Sequence, residues 1–67
     1  DYRMQILLSE RILQFDSLDE ESVRVKCHAL VALRRIGAAK SAFDNFVREY
    51  LQVMGEHFPT EFDSFVR

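Results

Sequence analysis

His28, His57 and Cys27 are the side chains of this 67-residue chain best suited to nucleophilic or transition-metal chemistry. A Cys–His pair makes a thiolate nucleophile, and a metal needs three or four ligands, but both demand side chains that converge. Cys27 and His28 are adjacent, and neighbours on a helix diverge by about 100°. No other residue set supplies the missing partners. Cys27 therefore reads as a small core residue, His28 as solvent-facing, and no catalytic residue, metal or cofactor is expected.

The acids Asp16, Asp19, Glu20 and Glu21 lack the ligand alternation, turn glycine and closing glutamate of a calcium loop. They suit a helix start, where the helix dipole favours negative charge. Gly37 and Gly55 are isolated and are followed by no phosphate-cradling pattern, so both read as helix ends. A basic stripe, Arg24, His28 and Arg35 with Arg34 beside it, is the feature with a live binding reading. A solvated helix face is its simplest explanation, an acidic protein partner the next, and DNA the least favoured. The net charge of −2 and pI near 5.6 supply no positive field for a phosphate backbone.

These residues need elements to carry them. Met4, Leu8, Ile12 and Phe15 recur at helical spacing, widened by Leu7 and Leu13, with Arg3, Ser9, Glu10 and Gln14 mostly opposite; this predicts a first helix over 2–15. Ser17 and Glu20 have the spacing of a capping box, so a second helix starts near 18 or 19 and runs to about Ile36, closed by Gly37. Val23, Cys27, Leu30 and Leu33 lie along one side of it, and Val25, Ala29, Ala32 and Ile36 along another, so it should lie between two neighbours. Ala39, Phe43, Phe46, Tyr50 and Val53 predict a third helix over 39–54, antiparallel to the second and ended by Gly55. A short last helix follows Pro59 and carries Phe62, Phe65 and Val66. The expected core is Cys27, Leu30, Leu33, Phe43 and Phe46, in an all-α fold of three to four helices built as one domain.

The order of these features resembles the bacterial transcriptional activator domain, a tetratricopeptide-like helical domain of antibiotic-regulatory-type transcription regulators. The likeness runs from Ile6 to Val66 and is carried by four stretches: Glu10 to Glu21, with its helix end, aspartate, leucine and acids; Ala29 to Gly37, a basic helix end with a glycine turn; Ala42 to Arg48, a small residue with an aromatic four positions on; and Leu51 to Glu61, with glycine, proline, small polar residue and glutamate in order. Ser17 stands where that family usually has proline, and the interval from Asp16 to Gly37 exceeds a standard repeat. The resemblance implies a tetratricopeptide-like antiparallel hairpin with flanking helices, carried in a multidomain bacterial regulator whose DNA-binding part lies outside these residues.

Expected function follows from both readings. The chain opens on Tyr2-Arg3-Met4-Gln5, which already reads as helix interior, and so is expected to be a fragment of a larger protein. It should be a non-enzymatic protein-interaction module that packs against its own DNA-binding domain, a sister subunit or the transcription machinery, with no direct nucleic-acid or membrane role. The alternative is a helical-repeat fragment of a scaffold or co-chaperone. Each open end of a repeat-like fold leaves an apolar face to cover; Met4, Ile6 and Leu7 are the candidates at one end, Phe62, Phe65 and Val66 at the other. The possible partner contacts are Arg24, His28, Arg34, Arg35, Phe62 and Phe65. One cysteine, no signal-peptide layout and no long apolar run make the cytoplasm the expected compartment.

Overall fold

A computed structural model describes all of residues 1–67 and is all-helical: α1 spans Tyr2–Phe15, α2 Glu20–Ala32, α3 Ile36–Met54 and α4 Phe62–Phe65. Each start and stop has a local cause. Asp1 caps α1 by accepting the Arg3 N–H at 3.0 Å. Asp16 ends that helix, then accepts the Leu18 N–H at 3.2 Å, and so forms the turn into α2.

The expected Ser17–Glu20 capping box does not form. Asp19 caps α2 instead, accepting the Ser22 N–H at 3.2 Å and the Ser22 hydroxyl as well. Ser17 is turned away, its hydroxyl donating to Glu49 on α3. With the cap at Asp19 the orphan donor satisfied is the Ser22 N–H, three residues into the helix, in place of the Glu20 N–H that the box would have used.

The second helix stops at Ala32, four residues short of the expected end, and Gly37 does not close it. Arg34 does, at φ 65°, in the left-handed region. Its N–H donates to Val31 O at 2.9 Å and the Arg35 N–H donates to Leu30 O at 2.8 Å, the paired bonds of a Schellman turn. Gly37 falls in the first turn of α3, which begins three residues earlier than its apolar stripe indicated. Leu33, at the C-cap of α2, is half-buried and outside the central cluster. A non-glycine residue in this backbone region costs about 1 kcal/mol or more. Arg34→Gly should therefore raise stability by about 1 kcal/mol and the melting temperature by about 4–8 °C, read by thermal circular dichroism. The end of α3 follows expectation: Gly55, at φ 76°, gives its N–H to Leu51 O at 2.9 Å.

α2 is the middle element, antiparallel to α1 and α3 and packed against both. The Lys26 ammonium meets the Glu10 carboxylate at 3.3 Å across the α1–α2 seam. Cys27 Sγ lies 3.5 Å from Ala39 O across the α2–α3 seam. The core holds Val23, Cys27, Leu30, Ala39, Phe43, Phe46 and Phe65. The C-terminal segment folds back over α2 and α3: Phe58 lies 5.0 Å from Phe46 and Phe65 5.1 Å from Phe43, centroid to centroid, and the Val66 carbonyl meets His28 Nδ1 at 3.0 Å. Phe65 is buried and Phe62 and Val66 are half-buried, so the apolar end anticipated there is absorbed by the fold.

Of Met4, Ile6 and Leu7, named for the uncovered end of α1, Met4 and Leu7 are exposed and Ile6 is packed. Ile6, Ser9 and Leu13 face α2, with Ser9 buried, while Met4, Leu8, Ile12 and Phe15 point outward. At about 100° per residue the two sets lie roughly 130° apart on the helix. The richest apolar arc of this helix is therefore not its core arc.

No helix is long and apolar enough to cross a membrane.

Candidate docking surface

The outer face of α1 is a row of apolar side chains on a regular helix. Met4 is 50% exposed, Leu8 53%, Ile12 50% and Phe15 92%, and Leu7 flanks them at similar exposure. The four fall within an arc of about 80°. Scattered exposed apolar residues are normal, whereas a contiguous set on one helix face marks a contact surface. The total accessible area of 4796 Å² tells the same story. A monomer of 7.9 kDa is expected to expose about 4,400 Å², so this chain shows roughly 400 Å² more than its mass requires.

Beside the row, along the flank of α1, run two open hollows. One, of about 560 Å³, is lined by Arg3, Ile6, Leu7, Glu10, Leu33 and Arg35; the other, of about 460 Å³, by Leu7, Glu10, Arg11, Gln14 and Phe15. They share Leu7 and Glu10 and so make one shallow groove. Glu10 is paired with Lys26, which leaves the groove's charge to Arg3, Arg11 and Arg35.

Charge is also unevenly distributed end to end. The α1–α2 hairpin carries Arg3, Arg34 and Arg35, with Asp1 beside Arg3, at the end where α1 begins, and Asp16, Asp19 and Glu20 at the turn where it finishes. Glu21 and Arg24 cancel locally, with Arg24 Nε donating to Glu21 Oε1 at 2.8 Å. That bond from Arg24 lowers the Glu21 carboxyl below its ordinary value and raises the guanidinium in turn.

The sequence-predicted contact residues are not brought together. Arg24 is engaged with Glu21, His28 is held between the Val66 carbonyl and the edge of the Tyr2 ring at 6.4 Å, and Arg34 and Arg35 lie in the turn after α2. No continuous basic stripe results, because the helix that was to carry it ends at Ala32. Phe65 is inside, and Phe62 lies 5.6 Å from Phe43 with Lys40 above its ring. Arg35 alone of the six lines the groove beside α1. Sequence reasoning passed over Leu8, Ile12 and Phe15 as surface residues; the available signal was that α1 carries apolar residues on two arcs and Leu7 and Leu13 cannot both belong to one stripe.

His, Cys, Asp and Glu side chains nowhere gather in threes where they would hold a metal ion. Cys27 lies in the core, and burial pushes its thiol up to about 11, opposed weakly by Lys26. The folded chain thus keeps the thiol proton at pH values where the unfolded chain has lost it. Stability from this source is intact below pH about 9 and is lost as pH climbs toward 11. Urea unfolding at pH about 8 and about 10 should show a larger fall for the natural chain than for Cys27→Ala, and the thiol should resist disulfide reagents in the folded state.

Compared with protein-family models, with characterised proteins and with solved structures, the chain finds no match.

Proposed function

We propose that this chain is a protein-interaction module of a bacterial transcription regulator, tetratricopeptide-like in construction, that docks protein through the outer face of α1. The observation that carries the docking role is the exposed row of Met4, Leu8, Ile12 and Phe15 on a helix whose opposite side is already packed on α2. Burying that row removes on the order of 500 Å² from water and gives several kcal/mol before the costs of association. The assignment to a transcription regulator comes from the resemblance of residues Ile6 to Val66 to the activator domain. A balance of −2 in net charge, with Arg24 and Lys26 held in ion pairs by Glu21 and Glu10, favours protein over duplex DNA as the partner.

The test is a transcription reporter driven by the regulator that contains this chain, with Leu8→Glu and Ile12→Glu introduced together. The reading expects regulation to fall to the level of a regulator lacking the module while retention of target DNA in a gel shift is unchanged. Unaltered regulation would remove the docking role, and sequence-specific retention of DNA by the isolated 67 residues would replace it with a nucleic-acid role.

A further inference from the structure

We infer that the occupant of the α1 outer face is a second copy of this chain, the two α1 helices packing antiparallel about a two-fold axis that passes near residue 10. The inference rests on the docking reading above and names its partner. Three observations converge on it.

The first is the spacing of the row. With a rise of 1.5 Å per residue, Met4 lies about 9 Å to one side of residue 10 and Phe15 about 7.5 Å to the other, while Leu8 and Ile12 lie about 3 Å to either side. Reversing the helix therefore brings Leu8 opposite Ile12 of the partner and Met4 within about 1.5 Å of the level of Phe15, where a thioether meets an aromatic ring. A two-fold contact requires this self-complementarity, since each residue must meet on the partner the residue it presents.

The second is charge. Arg3, Arg34 and Arg35 outnumber Asp1 at one end of the hairpin, and Asp16, Asp19 and Glu20 mark the other. Antiparallel pairing sets the basic end of each copy beside the acidic end of its partner. Parallel pairing would set like charges together at both ends, so the charge pattern selects direction as well as partner.

The third is area. The row offers on the order of 500 Å² per copy, roughly 1,000 Å² across the pair, which is the low end of what holds a specific interface together. It predicts a reversible dimer of modest affinity.

Sedimentation equilibrium of the chain from about 10 µM to about 1 mM, the range suited to an interface of this size, is the test. The expected result is a mass that climbs from 7.9 kDa toward twice that value, with weaker association in high salt. Leu8→Glu and Ile12→Lys should each stay monomeric alone, with helical circular dichroism retained because both side chains are half-exposed. Mixed in equal amounts they should dimerise again, because the antiparallel register puts the new glutamate opposite the new lysine and leaves Ile12 against Leu8. A mass fixed at 7.9 kDa throughout, or dimers of Leu8→Glu alone as tight as those of the natural chain, would overturn the second copy as occupant. A mixture that stays monomeric would overturn the antiparallel register. A monomeric chain whose Leu8→Glu, Ile12→Glu regulator still loses reporter control would leave the docking role standing with a different partner; a dimer whose disruption leaves the reporter untouched would do the reverse.

Discussion

Phe46→Ala is expected to abolish the cooperative thermal transition of this chain. Phe46 is 4% exposed and lies within 6.1 Å, centroid to centroid, of Tyr50, Phe58 and Phe65. Removing a buried phenylalanine costs about 3–5 kcal/mol through lost transfer energy and the cavity left behind. A chain of 67 residues has a total stability of roughly 3–10 kcal/mol, and one that buries so few residues sits toward the lower part of that range. The loss is therefore comparable to the whole. The variant should show a broad, non-cooperative melt by circular dichroism, whereas Phe15→Ala, which deletes a ring exposed to solvent, should melt within a few degrees of the natural chain.

The second large effect belongs to Phe65→Ala. α4 is a single turn, too short to be helical through its own hydrogen bonds, so its order comes from docking. Phe65 is the anchor: 4% exposed, it lies between Phe43, Phe46 and Phe58. Its loss should cost about 3 kcal/mol and act in a different way from the loss of Phe46. With the anchor gone the segment after Gly55 detaches, the His28–Val66 bond is lost with it, and Phe43 and Phe46 face solvent. Amide exchange should show residues from Phe58 to Val66 unprotected while α1 and α2 keep part of their protection, and a dye specific for exposed apolar surface should bind. Protection of Phe58 to Val66 at the level of the natural chain would mean that the segment is held by something other than this ring.

How much of this was legible in the residues depends on which physical signal each feature uses. Helix existence is set by apolar periodicity and by Gly55, and the all-α fold of four helices follows from them. The core ring cluster was visible in Phe43 and Phe46, which repeat at the spacing of a buried stripe. The end of α2 was hidden because an arginine, not the glycine three residues later, takes the left-handed turn position; composition favours glycine there, and the short α2–α3 link overrode it. The cap of α2 was hidden by degeneracy, since Asp16, Ser17 and Asp19 all have capping side chains and only the chain path selects Asp19.

The orientation of α1 is the more instructive case. Periodicity shows that a helix has an apolar arc, but says nothing of which neighbour covers it. α1 has two arcs, and the weaker, Ile6, Ser9 and Leu13, is the one placed against α2 by the short turn and the Glu10–Lys26 pair. The richer arc is left for a partner. For the same reason periodicity does not single out Leu8, Ile12 and Phe15 as a contact face, while Phe65, expected as a contact residue, is core.

The account stands on the claim that Leu8, Ile12 and Phe15 belong to a surface, and the stability of the Leu8→Ser, Ile12→Ser, Phe15→Ser triple variant tests it most directly. Urea unfolding at low concentration, about 5 µM, keeps association out of the measurement. Three surface changes should leave the unfolding free energy within about 1 kcal/mol of the natural chain. Three core changes of this kind would cost upward of about 6 kcal/mol together. A triple variant that folds and melts like the natural chain is the predicted result; one that is unfolded in buffer would show that these side chains hold the fold together and that α1 has no face to spare.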